Sequence, residues 1–178
     1  MIQLSFINAE LIFTLIWFLI RIIVWLKQRK INFKNELLQL LMFINFAIII
    51  RFTLFPRNLV DGHVQDVILD IDNIFPLRIN LVPFVHMFGY NYTINKIWNF
   101  MGNILMLLPT GILLPIVYKR LNSFWKVTLV GFLISLCVEL IQLPFASRAS
   151  DIDDVILNTL GVIIGYTIYR IIKQTKSS

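Results

Sequence analysis

The sequence predicts an all-α fold: an integral membrane helical bundle of about five transmembrane helices. Of its 178 residues, 58% are apolar and 15% are charged, and the mean hydropathy is +0.79. A water-soluble domain is about half apolar and about a quarter charged. Five stretches also approach the roughly 20 apolar residues that a helix needs to cross a bilayer. The composition therefore excludes a soluble globular domain and leaves no room for a separate soluble enzyme domain.

The predicted spans follow one another at residues 6–26, 37–55, 98–118, 124–143 and 152–172. The third is the clearest, because it contains no charged residue. The first contains Glu10 and Arg21 near its two ends, where long side chains can reach the membrane interface. Because the connections on the inner side are short, we expect neighbouring helices to pack antiparallel.

The distribution of Lys and Arg predicts the orientation, because cytoplasmic loops carry an excess of both. Ten of them flank the spans on one side of the bundle, where Glu36 is the only acid, so that side carries +9. The other side has four basic residues against seven aspartates and carries −3. We therefore expect a multi-pass protein of a bacterial cytoplasmic membrane with its N-terminus outside and its C-terminus inside.

The same spans divide the chain into three regions. Residues 1–55 form two N-terminal transmembrane helices, residues 56–97 an extracytoplasmic connection, and residues 80–172 a core with three transmembrane helices. The connection has 42 residues, which is too long for a structureless loop in a compact protein. Its apolar groups at 67–69 and 81–84 alternate with polar residues, which predicts an interfacial or re-entrant element.

Polar side chains lie inside three of the predicted spans at a common depth. They are Asn99 and Asn103 in the third span, Glu139 and Gln142 in the fourth, and Asp154 and Asn158 in the fifth. At about 1.5 Å of rise per residue, all fall in the outer half of the bilayer. Inserting a charged residue at the middle of a span costs about 2.5 to 3.5 kcal/mol, and such residues normally face the bundle interior or a wet cavity. We therefore expect these side chains to converge.

Residue spacing supports one shared face in each helix. Asn99 and Asn103 are four residues apart, and Glu139 and Gln142 are three apart, so each pair projects the same way. In the fifth span a single stripe of about 80° contains Asp151, Asp154, Asn158, Gly161 and Gly165. The two glycines form a GxxxG pattern, which allows close approach of a neighbouring helix.

Four segments carry a family resemblance: 80–84 (NLVPF), 99–111 (NFMGNILMLLPTG), 135–142 (SLCVELIQ) and 148–161 (RASDIDDVILNTLG). In this order they resemble the VanZ-like family, which is named for a teicoplanin-resistance protein. The resemblance covers residues 80–166. It implies an integral protein of the bacterial cytoplasmic membrane and, as one candidate role, antibiotic resistance through lowered susceptibility to teicoplanin. It implies no established catalytic mechanism.

The first of three hypotheses for the polar residues is an outward-facing binding site for a cell-envelope lipid, a lipid-linked precursor or a glycopeptide. The predicted binding residues are Asn99, Asn103, Glu139, Gln142, Arg148, Asp154 and Asn158. Arg148, with Arg51 or Arg78 as further candidates, would hold a phosphate or carboxylate in a bidentate fork.

The second hypothesis is a metal-dependent hydrolase or transferase acting on an envelope lipid or phosphate ester. Glu139 would act as general acid or base. The carboxylates of Asp151, Asp153 and Asp154 would hold a divalent cation or protonate a leaving group. Because the sequence contains no nucleophile motif, HExxH or P-loop, we leave open whether it is an enzyme, name no cofactor and assign no metal ligand set.

The third hypothesis is purely structural: the polar side chains hydrogen-bond one another and stabilise the bundle. Such contacts between membrane helices average only about 0.6 kcal/mol. This hypothesis predicts that substitutions lower protein abundance and activity together.

The expected partners are membrane lipids. The basic inner loops favour contact with anionic lipid over nucleic acid, because no groove with interleaved aromatic residues accompanies them. The single cysteine, Cys137, excludes a disulfide framework.

Overall fold

A computed structural model describes residues 2–29, 31–56, 59–70, 75, 78–84, 94–145 and 148–176. The helices are α1 (Phe6–Gln28), α2 (Phe33–Leu54), α3 (Ile94–Val117), α4 (Phe124–Gln142) and α5 (Ile152–Thr175). The strands are β1 (Ile2–Leu4), β2 (Leu59–Val60), β3 (His63–Val64), β4 (Val67–Leu69), β5 (Ile79–Asn80) and β6 (Ser150–Asp151). These five helices are long and apolar enough to cross a membrane, so the predicted all-α membrane fold is confirmed.

Polar side chains set the first turns of α1 and α2. The Ser5 hydroxyl accepts a hydrogen bond from the Asn8 N–H at 3.2 Å, and the side-chain oxygen Oδ1 of Asn32 accepts one from the Asn35 N–H at 3.3 Å. Each satisfies a backbone donor that the helix itself leaves unpaired. The cap at Asn32 begins α2 four residues before the apolar stretch that starts at residue 37. Helix bounds therefore follow capping chemistry as well as hydropathy.

The first of two compact units comprises residues 1–75 and 144–148. It contains α1 and α2, an antiparallel β1–β4 pair and the β2–β3 hairpin. Its buried core is formed by Phe55, Val67 and Phe145. The Asp70 N–H donates to the Pro144 carbonyl at 2.9 Å, which ties residues 144–148 into this unit although they follow α4 in the sequence.

An ion pair joins α1 to α2 within the first unit. The Arg21 guanidinium donates to both carboxylate oxygens of Glu36, with its Nε 3.1 Å from Oε2. Arg21 is buried, whereas we expected it to reach towards the membrane interface. A bidentate partner satisfies the guanidinium inside the protein, so reaching outward is unnecessary.

The second unit comprises residues 76–143 and 149–178. It contains α3, α4 and α5, with β5 paired in parallel to β6. Helices α3 and α5 approach so closely that a Cβ at Gly161 would lie 2.1 Å from the Ile104 carbonyl oxygen. A Cβ at Gly165 would meet the Leu108 oxygen at the same distance. The GxxxG pattern is therefore a helix-packing surface, as expected.

Large apolar side chains remain exposed along the helices, among them Leu11 in α1, Leu105 in α3 and Leu140 in α4. Exposed leucine on a long apolar helix is suited to contact with acyl chains. Together with the five candidate spans, this identifies a multi-pass membrane protein that contacts lipid.

The connection at residues 56–97 contains strands β2 to β5 among its described residues. Residues 57–58, 71–74, 76–77 and 85–93 lie outside the described residues. The predicted interfacial or re-entrant element falls partly on them and stays a prediction, as does the division of the chain at residues 55, 97 and 172.

Candidate functional site

The polar residues of the second unit meet at the end where α3 begins, α4 ends and α5 begins. On α3, the Asn103 side chain donates a hydrogen bond to the Asp154 carboxylate of α5. Asn103 is buried, Asp154 is partly buried, and Asn99, one turn earlier, is exposed. Asn103 and Asp154 therefore form a direct α3–α5 contact, whereas the Asn99 side chain is exposed.

Helix α4 contributes one buried polar stripe. Ser135, Glu139 and Gln142 occupy the same face and are all buried. The Ser135 hydroxyl accepts a hydrogen bond from the Asn158 Nδ2 of α5 at 2.9 Å. This bond places the Asn158 amide between α4 and α5.

Asn158 is the most informative residue of the cluster. It is only 1% exposed, and its Oδ1 atom has no hydrogen-bond partner among the residues that the structure describes. A buried acceptor left unpaired costs about 1 to 3 kcal/mol. Such an oxygen is suited to accept a hydrogen bond from a molecule that enters the bundle.

Glu139 lies beside the start of α5. It is 2% exposed, and its Oε2 accepts a hydrogen bond from the Asp151 N–H at 2.9 Å. Ser150, which precedes Asp151 in strand β6, is buried as well. Glu139 is thus a buried acid that the segment leading into α5 holds in place.

Asp151 and Asp153 organise that segment. The Asp151 carboxylate caps α5 by accepting from the Asp153 N–H at 2.9 Å, and both its oxygens lie 3.2 Å from the Asn80 Nδ2. The Asp153 Oδ1 accepts from the Phe84 N–H at 2.8 Å. These bonds fasten residues 80–84 to the beginning of α5.

The carboxylates of Asp151, Asp153 and Asp154 therefore bond to three different partners and do not converge on one position. Asp151 bonds to Asn80, Asp153 to the Phe84 backbone and Asp154 to Asn103. In the part of the chain that the structure describes, no group of three His, Cys, Asp or Glu residues is arranged to hold a metal ion. The aspartate-bound cation of the second hypothesis therefore gains no support from this geometry.

Two of the three arginines proposed as anion ligands, Arg148 and Arg51, bond to main-chain oxygens at or just after the end of α2. Arg148 belongs to the first unit, where its guanidinium donates to the carbonyls of Leu54 and Phe55 at the end of α2. Arg51 donates to the Pro56 carbonyl at 2.9 Å. Arg78 accepts at its backbone oxygen from the Ser150 N–H at 2.8 Å. Arg148 and Arg51 therefore stabilise the C-terminal end of α2, because the last carbonyls of a helix have no donor within the helix.

Asn80, Ser135 and Ser150 also lie at the site, where the sequence patterns did not lead us to expect them. Ser135 precedes Glu139 by four residues, so helical spacing could have identified it. Asn80 and Ser150 could not be found that way, because their roles depend on the pairing of β5 with β6.

The chain is similar to known proteins in sequence. The family model described as VanZ/LLP1 matches residues 3–173. A curated relative, "Protein VanZ" of Enterococcus faecium, is 33% identical over 102 residues, which cover 57% of this chain. The match spans 58% of that relative's length. No solved structure matches.

Proposed function

The chain belongs to the VanZ/LLP1 family, and we propose that its second unit binds an amphiphilic molecule of the bacterial cell envelope. The binding residues are Asn99, Asn103, Glu139, Gln142, Asp154 and Asn158, with Ser135 as a positioning residue. The ligand is a lipid-linked headgroup, a wall precursor or a glycopeptide such as teicoplanin. Its polar part would lie among these side chains and its apolar part between the helices and the lipid.

The observation that carries this proposal is the Asn158 amide. Ser135 holds its Nδ2 at 2.9 Å, while its Oδ1 is buried without a partner in the described structure. A purely structural network would be expected to satisfy this oxygen, because leaving it unpaired is unfavourable. A ligand hydroxyl, amide or ammonium group would supply the missing donor.

The position of the cluster in apolar helices gives further support. Polar residues in membrane spans are costly, and ionisable ones are by default candidates for function. Here a buried acid from α4 and a partly buried acid from α5 accompany three buried amides. This combination can bind a headgroup with several hydroxyl, amide or amino groups.

We further propose that this cluster opens outward. The opposite end of the second unit carries Lys119, Arg120, Lys126, Arg170, Lys173 and Lys176. An excess of basic residues marks the cytoplasmic side of membrane proteins. With that end inside, the site faces the envelope, where its ligand would be encountered. We assign Arg148 to stabilising the end of α2 and not to binding the phosphate or carboxylate of a ligand.

The test compares resistance with abundance in a teicoplanin-susceptible host that expresses the chain. Asn158→Ala removes the unpaired oxygen, whereas Leu157→Ala removes the same number of heavy atoms, all apolar, from the neighbouring buried position. We expect wild type and Leu157→Ala to raise the inhibitory concentration of teicoplanin, and Asn158→Ala to lose that increase at equal membrane abundance. Loss of resistance only in proportion to abundance, for both variants, would favour the purely structural hypothesis.

An enzyme acting on an envelope lipid or phosphate ester is the alternative, and the buried carboxylate of Glu139 favours it. A carboxyl group held by the Asp151 N–H at 2.9 Å next to a ligand site is placed for proton transfer. Glu139→Gln keeps the shape of the side chain and removes this chemistry. Loss of turnover with retained ligand binding would support an enzyme, and equal behaviour of both forms would contradict one.

A further inference from the structure

The polar side chains of Asn103, Ser135, Glu139, Gln142, Asp154 and Asn158 are called the Asn158 cluster below. A cleft lies at the opposite end of the second unit from this cluster. It has a volume of about 580 Å³, within the usual range for small-molecule sites of about 300 to 1,000 Å³. The ends of α3 and α5 and the loop between α3 and α4 line it, including Lys119, Asn122, Tyr169, Lys173 and Lys176. The polar residues of the proposed envelope site do not contribute to it.

The charge of this cleft is positive. Three lysines line it, and residues 112–130 and 164–176, which form this end of the helices, contain no Asp or Glu. Each helix end carries about half a unit charge, negative for the carboxyl ends of α3 and α5 and positive for the amino end of α4. Together they leave about half a negative charge, which is much smaller than the charge of the three lysines, so the lysines dominate.

The rest of the wall is apolar and held in place. Pro115, Ile116 and Ile172 provide hydrocarbon surface beside the lysines. The Tyr166 hydroxyl donates to the Asn122 carbonyl at 3.1 Å, which fastens the α3–α4 loop to α5. The Lys173 Nζ lies 5.8 Å from the centre of the Tyr169 ring, within range of a cation–π interaction.

We propose that this cleft binds an anionic phospholipid, with the phosphate held by Lys119, Lys173 and Lys176. Basic pockets between membrane helices bind such headgroups. The apolar wall would contact the first carbons of the acyl chains, a surface that free inorganic phosphate would not use. The site is independent of the envelope site, because the two lie at opposite ends of α3 and α5.

The experiment uses the purified full chain in detergent, with cardiolipin, phosphatidylglycerol or phosphatidylcholine added, and counts retained lipids by native mass spectrometry. The cleft variant K119Q/K173Q/K176Q removes three lining charges. The matched control R120Q/K126Q/R170Q removes three charges from the same end at residues that do not line the cleft. A K119R/K173R/K176R variant keeps the charge.

We expect wild type, control and arginine variant to retain an anionic lipid in preference to phosphatidylcholine. The cleft variant should bind it about tenfold more weakly than the control, since basic groups near a membrane contribute substantially to anionic lipid binding. Equal weakening in the cleft variant and the control would overturn the proposal, because diffuse charge would then suffice. Displacement of the lipid by millimolar inorganic phosphate would overturn the lipid assignment.

Discussion

Gly161 of α5 packs against the main chain of Ile104 in α3, so closely that a Cβ at position 161 would lie 2.1 Å from the Ile104 carbonyl oxygen. This contact fixes the position of α5 along the axis of α3. Asn103, the neighbour of Ile104, then reaches the Asp154 carboxylate two turns before Gly161. The same alignment of α3 and α5 thus produces both the close backbone packing at Gly161 and the hydrogen bond between Asn103 and Asp154.

Gly161→Ala should destabilise the second unit. Its new Cβ would meet backbone instead of a movable side chain, so α3 and α5 must separate, at a cost of about 1 to 3 kcal/mol. Thermal unfolding of the detergent-purified protein would measure the loss. Leu160→Ala changes a neighbouring exposed side chain and should have a smaller effect; equal melting temperatures for wild type and Gly161→Ala would refute the packing argument.

Asn103→Ala should cost more stability than Asn99→Ala, although the two residues lie one turn apart on the same helix. Only Asn103 is buried, and its removal takes the side-chain donor from Asp154. We expect a loss of about 1 to 2 kcal/mol for Asn103→Ala. The same unfolding assay tests the order, and a larger loss for Asn99→Ala would contradict the described α3–α5 contact.

Ser135 and Asn158 should be energetically coupled. A double-mutant cycle with Ser135→Ala and Asn158→Ala should give an interaction energy of about 0.5 to 1.5 kcal/mol, the range for hydrogen bonds between membrane helices. Strictly additive effects would show that the 2.9 Å bond contributes nothing to folding. Chemical denaturation in mixed micelles provides the free energies.

The orientation can be tested with reporters that function on only one side of the membrane. A fluorescent protein that matures in the cytoplasm should fluoresce when fused to the end of the chain, and alkaline phosphatase should be inactive there. Alkaline phosphatase inserted at the Asp61–Gly62 turn, where both residues have positive φ, should be active. The reverse pattern would place the polar cluster on the cytoplasmic side.

Hydropathy predicted the fold well, because the need to bury backbone polar groups leaves few structures for five apolar stretches. Helices α1, α4 and α5 begin at the predicted residues, and α2 and α3 begin four residues before them. The differences occur where polar segments extend a helix, as the Asn32 cap does for α2. Helical periodicity also placed Glu139, Gln142 and Asn158 among buried residues.

Contacts that depend on distant segments could not be predicted. Asn80 and Asp151 are 71 residues apart and meet only through the parallel β5–β6 pair. Arg148 lies close to Asp151 in sequence, but its guanidinium bonds to the end of α2, more than 90 residues earlier. A periodic pattern reports the face of one helix, whereas these bonds are set by the path of the connections.

Direct binding to the purified full chain tests the central claim, that the Asn158 cluster accepts an envelope molecule. Native mass spectrometry with teicoplanin, and with a lipid extract of a Gram-positive envelope, would compare wild type, Leu157→Ala, Asn158→Ala and Glu139→Gln. We predict a retained ligand for wild type and Leu157→Ala, with binding at least about tenfold weaker for Asn158→Ala, because one buried hydrogen bond is lost. No retained ligand on wild type, or equal retention by all four proteins, would contradict the account.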